Sequence, residues 1–179
     1  MSQKILVVSS SPRKGGNSDI LCDEFIKGAS CSSNSIEKIN LSDKKIGFCT
    51  GCYACQAGEC PQKDDAFAII QKMLQADVIV LATPVYFYTM CAQLKALIDR
   101  SVMIYPQIQN KKFFYLMAMG DTNPDCFTGT IEALRGFVAC CENSKELGMV
   151  CAPGFYEKGS IWNSEYCQTA YRLGKTLGE

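Results

Sequence analysis

Apolar residues are grouped along the chain into short continuous runs that alternate with amphipathic stretches. Five of the runs predict β-strands, over Lys4–Ser9, Ile36–Asn40, Val78–Ala82, Lys112–Met119 and Glu146–Cys151. The stretches between and after them carry apolar residues at helical spacing, over Ser18–Lys27, Asp65–Gln75, Cys91–Met103, Thr128–Cys141 and Ser164–Leu177. This alternation predicts an α/β protein with a three-layer, doubly wound parallel sheet of five strands. No repeat or linker interrupts it, so we expect residues 1–179 to form a single domain.

The polar segment between the first strand and the first helix, Ser9–Ser18, contains hydroxyl groups, an amide, an arginine and two glycines. Backbone N–H groups at the start of a helix point toward a bound anion, and the helix dipole favours negative charge there. Arg13 would add a charge-assisted hydrogen bond. A simple capped turn is the alternative, but such a turn needs only one or two capping residues. We therefore predict a phosphate-binding loop.

A loop rich in aromatic residues follows the third predicted strand. Pro84 is expected to end that strand, and Tyr86, Phe87 and Tyr88 come directly after it. Five strands with a phosphate-binding loop after the first predict the strand order 2-1-3-4-5, in which the loops after strands 1 and 3 face each other where the order reverses. Aromatic side chains at this position suit the flat, mostly apolar face of a ligand ring. The alternative is that these rings fold back onto the core.

Net charge and residue usage limit the partners and the catalytic groups that this chain can have. The formal net charge is zero and no basic block is present, which argues against nucleic acid or an anionic membrane as the partner. Without a recognisable signal peptide or an apolar run of bilayer length, twelve cysteines indicate a reducing, cytoplasmic location. Histidine is absent, which excludes a histidine base, a Ser-His-Asp triad and histidine metal ligands.

Four cysteines lie in one short segment and form a C-x2-C-x2-C-x4-C pattern: Cys49, Cys52, Cys55 and Cys60. Thiolates at such short spacings can converge on one centre, and soft ligands select an iron-sulfur cluster or zinc. Three interpretations stay open, namely a [4Fe-4S] cluster, zinc and unligated thiols. Other cysteines lie singly in helical or strand patterns and are expected to pack as small core residues: Cys22, Cys91, Cys140, Cys151 and Cys167.

Taken together and in order, these motifs resemble the flavodoxin-like NAD(P)H-dependent FMN reductases, and within that group the iron-sulfur flavoprotein branch. The resemblance is carried by the segments Ser9–Ser18, Cys49–Cys55, Asp64–Asp65, Ala76–Asp77, Pro84–Tyr86, Leu94–Lys95, Ile98–Arg100 and Ala170–Gly174. It implies a flavodoxin-like fold, non-covalently bound FMN, and a homodimer or homotetramer with the flavin near a subunit interface.

The resemblance also implies roles for individual residues. The phosphate of FMN would be held by Ser9, Ser11, Arg13, Asn17 and Ser18. The ring would lie against Pro84, Val85, Tyr86, Phe87 and Met90. The third side would be closed by Met119, Gly120 and Asp121. The clustered cysteines match the compact run of the iron-sulfur branch, in which they would be the cluster ligands.

The leading functional hypothesis is an FMN-dependent oxidoreductase of the NAD(P)H-dependent FMN or quinone reductase type. NAD(P)H would be the reductant, and a small molecule or a protein would accept the electrons. Chemistry carried by FMN requires no protein acid or base, which suits a chain without histidine. The alternative is a non-enzymatic electron carrier that exchanges electrons with ferredoxin-like partners. A third hypothesis is a zinc-stabilised binding module that has lost its flavin.

Overall fold

The computed structural model describes residues 2–30 and 33–178, in which strands and helices alternate. The strands are β1 (Lys4–Ser9), β2 (Ser35–Asn40), β3 (Val78–Tyr86), β4 (Thr89–Met90), β5 (Lys112–Ala118) and β6 (Lys145–Ala152). The helices are α1 (Asn17–Ala29), α2 (Ala66–Gln75), α3 (Ala92–Arg100), α4 (Thr128–Ala139) and α5 (Glu165–Lys175). Short 3₁₀ turns at Ser101–Met103 and Thr176–Gly178 follow α3 and α5, so these helical regions end about where the sequence predicts.

The five long strands form a parallel sheet in the order β2-β1-β3-β5-β6. This is the predicted order 2-1-3-4-5, because β4 is a two-residue strand, absent from the prediction, that pairs antiparallel with the end of β3. The strand order reverses between β1 and β3, which pair from Ile5↔Val78 to Ser9↔Ala82. Loops that leave the carboxyl ends of these two strands therefore enclose a crevice. The flavodoxin-like fold class is confirmed.

Helices cover both faces of the sheet. On one face, α1 and α5 contribute Ile20 and Ala170 to the core. On the other face, α2, α3 and α4 contribute Ile70, Leu94 and Leu134. Coverage on both sides explains why β3 and β5 are buried along most of their length and read as continuous apolar runs. Within residues 2–30 and 33–178, no helix combines the length and apolar character needed to cross a membrane.

Helices α1 and α5 touch at a pair of glycines. A side-chain carbon at Gly28 would lie 2.0 Å from the carbonyl oxygen of Tyr171, and one at Gly174 would lie 2.0 Å from that of Phe25. No larger residue fits at either position, so the two glycines let the helix backbones approach closely. The contact fixes α1 against α5, and with it the first turn of α1 beside the crevice.

The prediction that Pro84 ends the third strand is wrong, because β3 continues to Tyr86. The Ala82 carbonyl oxygen accepts a hydrogen bond of 2.9 Å from the Ser10 N–H, on the β1 side of the strand. Pro84 lies two residues further on and faces the same side, beyond the last residue of β1. No ladder partner requires an N–H there, so proline is tolerated inside the strand.

The expected core positions of the isolated cysteines are correct in part. Cys22, Cys91 and Cys167 are buried and Cys151 is half-buried, but Cys140 is exposed. Helix α4 ends at Ala139, so Cys140 lies just beyond its last turn, and the next residue along the chain turns into the core instead. The helical period used to place Cys140 does not apply past the end of the helix.

Candidate functional site

A cleft of about 360 Å³ opens at the carboxyl ends of β1, β3 and β5. Its walls come from the loop and helix start after β1, the end of β3, and the loops after β5 and β6. It is lined by Ser11, Arg13, Asn17, Ser18, Pro84, Val85, Tyr86, Phe87, Ala118, Met119, Gly120, Asp121, Phe155 and Tyr156. The structure thus brings all the predicted FMN-binding residues except Ser9 and Met90 to one cleft.

The first turn of α1 forms a polar wall of this cleft. Gly16 precedes the helix and has no side chain to cap it, so the first N–H groups of α1 receive no side-chain cap from this position. Ser18 is 2% exposed, and its hydroxyl has no hydrogen-bond partner among the described residues. Leaving such a group unsatisfied costs about 1–3 kcal/mol. The helix start, the Ser18 hydroxyl and the nearby Arg13 together form a site that suits an anion.

Ser9 and Met90 lie behind the cleft. The Ser9 hydroxyl is buried and donates a hydrogen bond of 2.7 Å to Asp19 Oδ1. Met90 is the second residue of β4, and its side chain is buried in the core. Ser11 does line the cleft, although its hydroxyl donates to the Arg13 carbonyl oxygen at 3.0 Å and accepts from the Arg13 N–H at 3.2 Å. Sequence position alone did not distinguish the hydroxyls that face the ligand from those that hold the loop.

A partly buried ion pair supports the loop from below. Asp19 Oδ2 accepts the Gly15 N–H at 2.9 Å, while Asp19 Oδ1 lies 2.7 Å from Lys38 Nζ, which also reaches Asp23 at 2.6 Å. Burial opposes ionisation of Asp19, but hydrogen bonds from Lys38, Ser9 and Gly15 outweigh it and hold its pKa below the ordinary value. Burial likewise opposes the charge of Lys38, but Asp19 and Asp23 raise its pKa. The glycine-rich turn is thereby fastened to α1 and β2.

The aromatic wall is the β3–β4 hairpin. Val85 pairs with Met90 and Tyr86 with Thr89, which leaves Phe87 and Tyr88 as a two-residue turn. Both turn residues have positive φ, 48° and 66°, the pattern of a type I′ turn that glycine and asparagine usually occupy. Phe87 is 97% exposed, so its ring does not fold back onto the core. Left-handed conformations of bulky residues are strained and concentrate at binding sites.

The loops after β5 and β6 meet at the opposite wall. The Met119 carbonyl oxygen accepts the Phe155 N–H at 2.8 Å, and the Asp121 carbonyl oxygen accepts the Gly154 N–H at 2.7 Å. A side-chain carbon at Gly120 would lie 2.7 Å from Tyr156 Cδ2, so a larger residue there would displace the Tyr156 ring. Sequence reasoning missed Phe155 and Tyr156. The signal was a turn directly after the last strand followed by aromatics, as after β3.

The clustered cysteines line a second cavity, of about 430 Å³. Cys49 and Cys52 are exposed, and Cys55 and Cys60 are half-buried. Hydrogen bonds from the Ala54 N–H and, to a smaller extent, from the Thr50 side chain lower the pKa of the Cys52 thiol. In the part of the chain that the structure describes, no three cysteine, aspartate or glutamate side chains converge closely enough to bind one metal ion. The four thiols thus face one space without forming a single-ion site.

Arg100, at the end of α3, closes the cysteine segment, which we define as residues 47–64. Its side chain is 1% exposed, and the guanidinium binds both Asp64 carboxylate oxygens, at 2.7 and 3.2 Å. It also donates to the Gly47 carbonyl oxygen at 3.0 Å, to Gln62 Oε1 at 3.0 Å and to Cys60 Sγ at 3.4 Å. One side chain therefore ties together both ends of the segment and its last cysteine. The sequence pattern placed Arg100 in a family motif but indicated no such role.

Known proteins share this sequence pattern. A family profile described as NADPH-dependent FMN reductase matches residues 3–125. An iron-sulfur flavoprotein of Archaeoglobus fulgidus is 41% identical over 98 residues, which are 54% of this chain and 44% of that protein. An iron-sulfur flavoprotein of Methanosarcina thermophila is 37% identical over 184 residues, which are 97% of this chain and 95% of that protein. The chain thus spans about half the length of the first relative and nearly all of the second.

The fold has counterparts among solved structures. An NAD(P)H:quinone oxidoreductase from Methanothermobacter marburgensis superimposes with a TM-score of 0.80 at 17% identity, covering 100% of this chain and 98% of that one. At this identity the likeness concerns the fold alone. The profile match and the M. thermophila relative, however, concern the sequence itself. They show that the chain belongs to the NADPH-dependent FMN reductase family, a family of oxidoreductases, and within it to the iron-sulfur flavoproteins.

Proposed function

We propose that the cleft binds FMN non-covalently and that the protein is an FMN-dependent oxidoreductase reduced by NAD(P)H. The observation that carries the proposal is the buried, unpartnered Ser18 hydroxyl, which lies at an uncapped helix start and in the same cleft as Tyr86. One polar wall and one aromatic wall match the phosphate and the ring of FMN. The cleft volume of about 360 Å³ is within the range typical of small-molecule sites.

The lining residues divide by chemistry. Ser18, Arg13 and the first N–H groups of α1 would bind the phosphate, with Ser11 closing the loop beside it. The ring would contact Pro84, Val85, Tyr86 and Phe87, and Met119, Gly120 and Asp121 would border it on the third side. Ser9 would act through Asp19, and Met90, a residue of the hairpin itself, would anchor it in the core, so neither would touch the flavin.

Bound FMN would supply the capacity to accept a hydride and to pass electrons to a small-molecule or protein acceptor. The residues of the chain would bind and orient the flavin and keep water from the face that they cover. The only ionisable side chains that line the cleft, among the described residues, are Arg13, Asp121, Tyr86 and Tyr156. Because chemistry carried by FMN requires no protein base, the chain would provide placement and electrostatic field.

We also propose that the cysteine segment holds a [4Fe-4S] cluster, with Cys49, Cys52, Cys55 and Cys60 as ligands. All four thiols face one cavity, and thiolates are the donors that iron-sulfur clusters require. The irons of such a cluster occupy separate corners, so its thiolates need not converge on one point as zinc ligands do. The exposure of Cys49 and Cys52 would leave the centre open to a ferredoxin-like protein, which favours electron exchange with such a partner as a second function.

Flavin binding is tested by titrating the flavin-free protein with FMN, followed by rapid mixing with NADPH or NADH. We expect tight binding of FMN, a changed flavin spectrum, and bleaching of the flavin by one of the nicotinamides. Slow bleaching by both nicotinamides, with rapid reduction by reduced ferredoxin, would assign the carrier function instead. Failure to retain FMN would refute the proposal.

The cluster is tested by iron and acid-labile sulfide analysis of protein prepared without oxygen. We expect about four irons and four sulfides per chain, and loss of both in Cys52→Ser with FMN still bound. Cys140→Ser is the matched control, because Cys140 is an exposed thiol outside the segment and its loss should change neither content. Zinc without sulfide, or iron that survives in Cys52→Ser, would contradict the assignment.

A further inference from the structure

The Asn17 side chain is fully engaged by the loop after β6. Its Nδ2 donates to the carbonyl oxygens of Phe155 and Glu157, each at 2.9 Å, and its Oδ1 accepts the Ile161 N–H at 3.3 Å. A primary amide has two N–H groups to donate, and both are used. The side chain is 6% exposed, although it lies in the first turn of α1 where a phosphate ligand is predicted. Its polar atoms therefore bind protein rather than face the cleft.

The loop that Asn17 holds forms part of the cleft. Phe155 and Tyr156 are lining residues, and Phe155 is fixed from its other side by the Met119 carbonyl oxygen and by an edge contact with the Tyr166 ring at 5.6 Å. Tyr156 follows Phe155 directly. Its ring packs on Gly120 and is 75% exposed. The backbone on which Tyr156 depends is thus held between α1 and the loop after β5.

We propose that Asn17 is a positioning residue that holds Tyr156 as a wall of the flavin site, and that Tyr156 contacts the ring and ribityl portion of the ligand. The inference rests on the proposed function, since the ligand is FMN. Tyr156 packs against the loop after β5 rather than against the first turn of α1. An exposed aromatic face at that position suits a flat ring, whereas the anion site lies at Ser18 and Arg13. Asn17 and Tyr156 therefore act on the portion of the ligand that riboflavin shares with FMN.

The test compares the dissociation constants of FMN and riboflavin, which lacks the phosphate. Asn17→Ala and Tyr156→Ala should each raise the dissociation constants of FMN and of riboflavin equally, about tenfold, as expected for loss of one aromatic contact. The double variant should bind no more weakly than the weaker single variant, because both changes remove one wall. Tyr156→Phe should bind as the wild type does, since the contact is made by the ring.

Loss of FMN affinity with unchanged riboflavin affinity in Asn17→Ala would overturn the inference, because Asn17 would then be a phosphate ligand. The inference would also be overturned if the dissociation constants of the double variant rose by the product of the two single-variant factors. If Asn17→Ala does not fold, Tyr156→Ala alone decides, since Tyr156 is exposed and its removal leaves the core intact: equal weakening supports the inference and an effect confined to FMN refutes it. A wild-type protein that binds neither flavin would instead refute the proposed function.

Discussion

At the scale of single residues, a polar group that folding leaves without a hydrogen-bond partner is available to bind a ligand. Among the described residues, the Ser18 hydroxyl is one of the few buried side-chain groups without a partner, and it borders the cleft. Thr130 Oγ1 is also buried and unpartnered, but it lies on α4 and does not line the cleft. Both hydroxyls are buried without a hydrogen-bond partner in the described part of the chain, but only that of Ser18 borders the cleft. Comparing them separates the stability effect of an unsatisfied hydroxyl from its role in binding.

Replacing Ser18 with alanine should stabilise the flavin-free protein and weaken FMN. Removal of a buried unsatisfied hydroxyl should raise the free energy of unfolding by about 1 kcal/mol. Loss of a hydrogen bond to the phosphate should raise the dissociation constant of FMN about 10- to 150-fold, equivalent to about 1.5–3 kcal/mol. Urea unfolding and fluorescence titration measure the two effects.

The matched control is Thr130→Val, which should be stabilising to a similar degree without altering the affinity for FMN. Riboflavin should bind Ser18→Ala as it binds the wild type. Unchanged FMN affinity in Ser18→Ala would show that the phosphate of FMN is not bound at the start of α1.

At the scale of elements, the loop after β1 and the cysteine segment are each held by one partly or fully buried ion pair. Lys38 on β2 and Asp19 on α1 fasten the turn after β1, and Arg100 on α3 fastens the cysteine segment through Asp64. The strands and helices were predictable from apolar periodicity, with ends correct to within a few residues. The pairs were not predictable, because their members are distant in sequence and each residue alone resembles an ordinary surface charge.

The stability conferred by the Lys38–Asp19 pair should depend on pH in a defined direction. The folded pKa of Asp19 lies below 3.8, so its contribution is present at neutral pH and is lost as the pH falls through the folded value. The folded pKa of Lys38 lies above 10.5, so its contribution is lost only as the pH rises through that value. Lys38→Met should lower the free energy of unfolding at neutral pH by about 2 kcal/mol, because Asp19 keeps its charge without a cation.

The difference between Lys38→Met and the wild type should shrink as the pH falls and Asp19 is protonated, at a higher pH in the variant because its Asp19 has lost the Lys38 cation, as denaturant unfolding at several pH values would show. Lys95→Met provides the control, since the Lys95–Asp99 pair is exposed and should contribute little. A difference that is constant with pH would exclude the Asp19 charge as its cause.

Removing Arg100 should release the cysteine segment. In Arg100→Met the Asp64 carboxylate, with 14% of its side chain exposed, loses its cation, and a broken buried pair costs about 3–5 kcal/mol. We expect faster protease cleavage within residues 47–64, detected by mass spectrometry, and a lower iron content after reconstitution.

Arg100→Met combined with Asp64→Asn should recover part of the lost stability, because no unpaired carboxylate then remains. Arg135→Met is the control, since Arg135 makes an exposed pair with Glu146 and should leave cleavage of the segment unchanged. Cleavage in Arg100→Met at the wild-type rate would show that other contacts hold the segment.

For the whole molecule, exposed aromatic residues mark the surfaces beside both cavities. Phe87 and Tyr156 line the cleft, Tyr88 follows Phe87 in the hairpin turn, and Phe48 and Tyr53 lie on the cysteine segment, all of them more than half exposed. Apolar side chains concentrated at one place indicate a contact surface. The homodimer or homotetramer implied by the family resemblance stays a prediction, and these residues are where we expect its interface.

Sedimentation velocity should therefore give a mass of two or four chains for the wild type. Phe87→Ser should shift the distribution toward the monomer, because it removes an apolar ring that is 97% exposed within one chain. Leu147→Ser, which replaces an exposed apolar residue on the edge strand β6, should leave the distribution unchanged. A monomeric wild type would refute the oligomer.

Local patterns along the chain determined the fold class, the strand order and the loops that form the cleft. Apolar periodicity decides which segments become strands and helices, and the order of parallel strands decides which loops meet at the switch point. The loops that contain Ser18 and Tyr86 were located in this way, whereas the roles of the individual residues, Gly120 among them, were implied by the family resemblance.

Tertiary structure alone decided how the side chains within those loops are used. It turned the Ser9 hydroxyl toward Asp19, the Asn17 amide toward the loop after β6, and the Arg100 guanidinium under the cysteines. The physical reason is that a polar side chain bonds whichever group packing places within about 3 Å. That group lies far away in sequence, where neither periodicity nor motif spacing carries information.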